Sequence, residues 1–307
     1  MLLIVLVVAL GGCVEKPLPA GASFADRVLA AMDSGLYATG EEWRIARAQA
    51  VASTRDSQTP EEALGPLRLA LATAGRAHSS LSKNPEGSAS QAPSQAAMPA
   101  VKIGSARIAV VQVPELYGGD AEGARDYARS LISGIKQAAQ ASPCGWMIDL
   151  RGNTGGNMLP MLAGLAPLLP NGVVGSGVSR DGARTYVTVT DGTVLIGGEL
   201  AFSEDEPTKA PGPIAILLDA YTASSAEFVA IAFMGLENTR SFGTRSMGYS
   251  TMNATIPIGS YTLFLTVGVD ADRNGTAYPA GIAPDVRVAS NMDTAAAAVN
   301  WLSARCA

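Results

Sequence analysis

The stretch PIAILLDAYTASSAEFVAIAFMG, residues 213–235, limits the folds open to this chain. PIAILLD is a short, continuous apolar run, the pattern of a strand buried on both faces. SAEFVAIAFMG follows a few residues later and reads as a helix. Between them lie small residues and two adjacent hydroxyls, Ser224 and Ser225. A buried strand that passes directly into a helix belongs to a parallel sheet with helical crossovers. The segments around it agree. ARIAVVQV and GWMIDL read as strands, with the helical AEGARDYARSLISGIKQAAQA between them. NMLPMLAGLAPLL reads as a further helix, and TRSFG, STMNATIPI and YTLFLTVGVD as later strands. The expected class is α/β.

Upstream of this core, residues 24–82 read as a helical subdomain. SFADRVLAAM has helical apolar spacing. TPEEALGPLRLALATAG opens with Thr59 as N-cap, Pro60 at the first helical position and Glu62 at the third, a capping-box pattern. His78 stands just beyond the C-terminus of that helix. Residues 83–100, rich in Ser, Ala, Pro and Gln, read as a linker, and 101–304 as the α/β domain. At the start, LLIVLVVAL is too short to span a bilayer and suits the apolar region of a signal peptide. LGGC, ending at Cys13, resembles a bacterial lipobox. Residues 1–13 are therefore expected to be a lipoprotein signal, 14–23 a tether, and the mature protein to be exported and held at the cell envelope by lipid on Cys13. No Lys or Arg precedes the apolar region, which departs from that pattern.

Composition excludes other roles. The formal net charge is −5 and Lys and Arg do not cluster, so nucleic acid is not an expected partner. With a single histidine and three cysteines that lie far apart in the chain, a zinc-finger-like cage is not expected. No glycine-rich phosphate loop stands at a strand–helix junction, and no cofactor is expected. Beyond Cys13, Cys144 and Cys306 are able to pair in an oxidising compartment. The reading preferred here makes Cys144 a small apolar core residue beside the strand GWMIDL.

Three segments carry the candidate chemistry: DLRGNTGG (149–156), TASSAE (222–227) and GIAPDV (281–286). A serine at a strand-to-helix turn presents its side chain, and the N–H groups of the first helical turn suit a developing oxyanion. Paired glycines at a neighbouring strand end let backbone approach a substrate carbonyl closely. Together the segments resemble the carboxy-terminal processing and tricorn-like serine peptidases over roughly residues 24–300. The resemblance implies a crotonase-like (ClpP/crotonase) βαβ core. It also implies a serine peptidase acting on peptides or unfolded proteins. Aligning the glutamate of TASSAE places the nucleophile at Ser224, with Ser225 where the family usually has alanine. It assigns the oxyanion donors to the N–H groups of Gly156 and Ser225. Glu227 reads as a first-turn residue that favours the helix dipole rather than as a base.

One departure decides the branch. The catalytic lysine of the processing proteases is replaced here by Tyr249 in GTRSMGY, and Lys209 is the last lysine in the chain. Tyrosine, with a pKa near 10, is a poor substitute for that base. The tricorn-like branch uses a histidine from the N-terminal part. His78 in GRAHSSL matches its place, although Arg76-Ala77 replace the Asp-Gly of relatives. The acid that orients the histidine is implied shortly before GIAPDV. Asp270 and Asp272 are the candidates, and Asp272 is preferred over its reading as a turn residue in DRNG. Asn253 is expected to position substrate or the loop holding Tyr249. No PDZ-like insertion fits between His78 and the first core strand. The alternative function is a non-catalytic protein of the same fold that binds peptides or apolar ligands.

Overall fold

The computed structural model describes residues 23–84, 97–118, 120–204 and 208–306. The expectations for Cys13, for the signal and for 14–22 of the tether lie outside these residues, as does most of the expected linker. In chain order the chain forms α1 (Phe24–Met32), α2 (Gly40–Thr54), α3 (Pro60–Ala74), β1 (Ser80–Lys83), β2 (Ala100–Ile103), β3 (Ile108–Gln112) and α4 (Ala121–Ala139). There follow β4 (Gly145–Asp149), α5 (Met158–Gly164), β5 (Gly172–Ser179), β6 (Arg184–Thr190), β7 (Thr193–Ile196), β8 (Glu199–Ser203) and β9 (Ile214–Leu218). The last elements are α6 (Ser225–Ile231), β10 (Thr239–Gly243), β11 (Thr251–Ile258), β12 (Tyr261–Asp272), β13 (Val286–Arg287) and α7 (Asn291–Ser303). They divide into two compact units, and β5 and β12 each contribute residues to both.

The first unit holds the described residues up to Asn84 together with 178–183 and 251–268. Helix α3 begins as its sequence requires: Thr59 Oγ1 accepts the N–H of Glu62, and the Glu62 carboxylate reaches back to the N–H of Gln58. Pro60 opens the helix, where a missing N–H costs nothing. The helices bury Leu29, Met32, Trp43, Leu67 and Leu71 against Tyr261, Leu263 and Leu265 of β12. Residues 80–82, read above as helical, and Lys83, read as the start of the linker, are instead a strand. β1 pairs antiparallel with β12, with Ser80 opposite Phe264 and Lys83 opposite Tyr261. Helical periodicity could not exclude this, because the partner strand lies far along the chain.

The second unit holds a six-stranded sheet in the order β13-β10-β9-β4-β3-β2. From β13 to β3 all neighbours are parallel, and only β2 is antiparallel. The strands alternate between two cores, as a period of two demands. Val111, Ile148, Ile216 and Leu218 face the larger core, with residues of α4, α5 and α6. Ile108, Met147, Ala215, Leu217 and Phe242 face a second core with Ala298 and Leu302 of α7. β9 is buried along its whole length, as the run PIAILLD predicts. The fold is thus mixed α/β with successive parallel β-α-β units. The connection over β6, β7 and β8 is an antiparallel meander that the sequence reading did not assign.

Cys144 and Cys306 form a disulfide, which corrects the preferred reading of Cys144 as a free core residue. Their Cα atoms lie 4.9 Å apart, within bridging range. Packing of α7 on β4 and β9 brings the chain end back to the start of β4. The signal that decides the pairing is tertiary and not local.

Candidate active site

The carboxyl ends of adjacent parallel strands β4 and β9 lie side by side, the usual place for chemistry in such sheets. Their loops are stitched together by buried polar groups. Asp219 Oδ1 accepts the N–H groups of Tyr221 (2.9 Å) and Thr222 (3.0 Å) in its own turn, and of Gly152 (3.1 Å) in the β4 loop. Thr222 Oγ1 donates to the Leu150 carbonyl, and the Ala223 N–H to that of Asn153. Asn153, itself buried, donates to Val113 O beyond β3 and accepts the Gly155 N–H, both at 2.8 Å. Arg151 and Asp149 form an ion pair at 2.6 Å, and this contact raises the guanidinium pKa further.

Ser224 follows this turn with φ 54° and ψ −121°, a region that side chains rarely enter. Such a residue costs about 1–3 kcal/mol and persists only where its surroundings hold it. A strained serine between a buried strand and a helix is the form of a nucleophile elbow. Gly155 packs against it, and Gly156 against Leu116. Gly155 has φ 112°, and a Cβ there would lie 2.9 Å from Ser224 Cβ. Gly156 has φ 102°, and its Cβ would overlap the Leu116 carbonyl. Ser225 Oγ donates to Gly156 O and fastens the two segments together. Among the described residues, neither the Ser225 N–H nor the Gly156 N–H donates a hydrogen bond.

Glu227 is fully buried, and its carboxylate accepts four hydrogen bonds. Oε2 takes the N–H groups of Ser224 (2.9 Å) and Tyr249 (2.7 Å). Oε1 takes the Gly248 N–H at 2.9 Å and the Ser246 hydroxyl. The residue does more than complement a helix dipole: it clamps the serine turn to the segment 246–249, which a single-residue reading of TASSAE missed. Asp270 lies near enough for the charge of Glu227 to act on it. Burial first, and that charge second, push its carboxyl up to about 8.

In the first unit, His78 ends a short 3-10 turn just after α3. Its Nδ1 lies 2.6 Å from Thr251 Oγ1 and 3.2 Å from Asn253 Nδ2. Asn253 Oδ1 in turn accepts the Thr266 hydroxyl at 2.8 Å, and the edge of the Phe264 ring meets the imidazole. Burial lowers the His78 pKa below its ordinary 6.5. Asn253 therefore stands beside the histidine. Thr251 was missed entirely, since a threonine in a strand carries no sequence signal of such a role. Asp272 is engaged in its own turn. Its Oδ1 accepts the N–H groups of Asn274 (2.9 Å) and Thr276 (3.0 Å), and its Oδ2 the Tyr278 hydroxyl (2.9 Å). The Oδ1 bonds hold the DRNG turn, and the Oδ2 bond ties it to Tyr278. Among the described residues no group of three or more His, Cys, Asp or Glu is arranged to hold a metal ion.

Residues 107–288, more than half of the chain, match the profile of peptidase family S41. This chain belongs to peptidase family S41. It is a serine peptidase, a hydrolase of peptide or protein substrates. The S41 peptidase is 29% identical over 274 residues to the nisin-resistance protein of Lactococcus lactis subsp. lactis, covering 88% of this chain and 83% of that one. Its structure is similar to that of a lipoprotein from Streptococcus agalactiae, with TM-score 0.78 and 27% identity over 94% of this chain and 99% of the other. It shares its fold with a putative peptidase from Parabacteroides merdae, with TM-score 0.60 and 15% identity over 91% and 95% of the two chains.

Proposed function

We propose that this S41 peptidase cleaves peptides with Ser224 as nucleophile and His78 as general base, without a lysine. The observation that carries the assignment of Ser224 is its backbone strain at the β9–α6 turn, braced by Gly155, Asp219 and Glu227. Surroundings that impose strain on one serine in such a turn fit a reactive group held in place. The Ser225 hydroxyl donates to Gly156 O, which favours a fastening role for it and leaves Ser224 as the nucleophile of this reading.

His78 is the only histidine, and the lysine position is Tyr249, whose N–H is committed to Glu227. Burial keeps the imidazole neutral and therefore basic at neutral pH. Action through Nε2 requires the tautomer in which Nδ1–H donates to Thr251 Oγ1. Thr251 then takes the orienting role assigned above to Asp272, whose carboxylate belongs to its turn.

The chemistry follows. Ser224 Oγ attacks the scissile carbonyl carbon and its proton passes to His78. The oxyanion accepts the N–H groups of Gly156 and Ser225. The imidazolium returns the proton to the leaving amine. Water, activated by the same imidazole, then cleaves the acyl-enzyme and frees Ser224. The core on which this runs is read as crotonase-like.

The protein is further read as exported and held at the cell envelope through Cys13. LGGC and the likeness to a streptococcal lipoprotein support that reading. The relative named for nisin resistance makes nisin a fitting test substrate. Nisin and fluorogenic peptides, incubated with wild type, Ser224→Ala and His78→Ala, test the assignment by mass spectrometry and fluorescence. Cleavage by wild type, with losses of several orders of magnitude in both variants, is expected. Wild-type rates in a folded His78→Ala protein would overturn the base.

A further inference from the structure

Three large apolar side chains stand exposed on the segments that build the serine turn. Tyr221 is 66% exposed, Tyr117 49% and Met247 41%. Each is fixed to that turn through hydrogen bonds. Tyr221 lies within the Asp219 turn, three residues before Ser224, and its N–H binds the Asp219 carboxylate. Met247 donates its N–H to the carbonyl of Thr222 at 2.9 Å. Tyr117 donates its hydroxyl to Thr154 O at 2.6 Å, beside the glycine that touches Ser224. The charged groups of the same segments are drawn into internal bonds. Glu115 accepts from Thr154, Asp219 holds the turn, and Arg245 donates to the carbonyls of Ala280 and Gly281.

An exposed apolar residue taken singly needs no explanation. Three on separate segments, all tied to one strained serine, call for one. We infer that Tyr117, Tyr221 and Met247 form an apolar rim that binds apolar side chains of the peptide substrate next to the scissile bond. The inference rests on Ser224 as the nucleophile and names the substrate class of that site. The backbones of Tyr221 and Met247 and the hydroxyl of Tyr117 are held by the bonds above, so binding orders groups that are already partly restrained. Aromatic rings and a thioether suit varied apolar partners. The rim therefore selects for apolar character near the cleaved bond and not for one sequence.

The test is peptide binding by Ser224→Ala, which cannot turn over. Two hexapeptides are compared by calorimetry: one with Leu at the two central positions, one with Ser there. Adding Tyr221→Ser and Met247→Ser should weaken the Leu peptide at least about tenfold. The Ser peptide should bind as weakly as before. Both altered side chains are exposed, so the melting temperature should hold and exclude misfolding. Absence of measurable Leu-peptide binding in Ser224→Ala overturns the rim, as does equal binding with and without the two rim substitutions. Failure of the serine assignment is read separately, from whether a fluorophosphonate modifies Ser224 in the wild type.

Discussion

Glu227 Oε2 accepts the backbone N–H of Ser224 at 2.9 Å and that of Tyr249 at 2.7 Å. One buried oxygen thus holds the strained serine and the loop that carries Tyr249. Glu227→Gln keeps the shape but turns an amide –NH₂ toward one pair of donors. Two donors then lose their acceptor: two N–H groups at Oε2, or one N–H and the Ser246 hydroxyl at Oε1. The expected cost is about 2–5 kcal/mol of stability. It should be read as a fall in denaturant midpoint at unchanged slope, with hydrolysis reduced. A variant as stable as wild type would contradict the clamp.

Thr251 lies 2.6 Å from His78 Nδ1. Thr251→Val removes the acceptor for the imidazolium that forms during reaction. Such a hydrogen bond to a charged group contributes about 1.5–3 kcal/mol. The value of kcat should fall roughly 10- to 150-fold, and Thr251→Ser should restore it. The acid limb of the rate profile carries a second readout. Burial already lowers the His78 pKa, so wild-type activity should persist below pH 6.5. Loss of the Thr251 acceptor should move that limb lower still. In stability the sign is positive with pH. The unfolded chain binds the proton first as pH falls through 6.5, so stability grows with pH between the lowered pKa and 6.5.

Asp270 gives the opposite sign. Its carboxyl is raised from the ordinary 3.8 to about 8. Between those values the native state holds a proton that the unfolded chain has released. Stability therefore declines as pH rises from about 4 to about 8. Asp270→Asn, which does not titrate, should flatten that decline. Thermal unfolding of both proteins at pH 5 and pH 9 measures it. The variant should gain on wild type by at least ~1 kcal/mol at the higher pH. Parallel curves would contradict the burial of an ionisable Asp270 beside Glu227.

The Cys144–Cys306 bridge closes a loop of 162 residues. In the chain-entropy picture so long a loop is stabilised by about 4–5 kcal/mol, although measured disulfides more often give 2–4. Cys144→Ser, or mild reduction of the wild type, should lower the melting temperature by the same amount. No change in either would contradict the pairing.

Local signals carried what was readable from sequence alone. The continuous apolar run 214–218 is a buried strand because parallel strands are covered on both faces. The small residues and hydroxyls after it mark the turn that holds Ser224. What was not readable depends on distant partners. β1 is a strand because β12 lies beside it, although its four residues follow a helical region directly. Cys306 meets Cys144 only through the packing of α7. Thr251 looks like an ordinary strand residue until His78 is placed against it. Asp272 shows the reverse: DRNG announces its turn, and the Oδ1 hydrogen bonds at Asp272 are those of that turn.

The central claim is that Ser224 is the nucleophile, and covalent labelling tests it most directly. Wild-type protein and Ser224→Ala are treated with a fluorophosphonate, digested and mapped by mass spectrometry. One adduct on Ser224 in the wild type, and none in the variant, is the predicted result. An adduct on Ser225, or an unmodified wild type that still cleaves peptides, would contradict it.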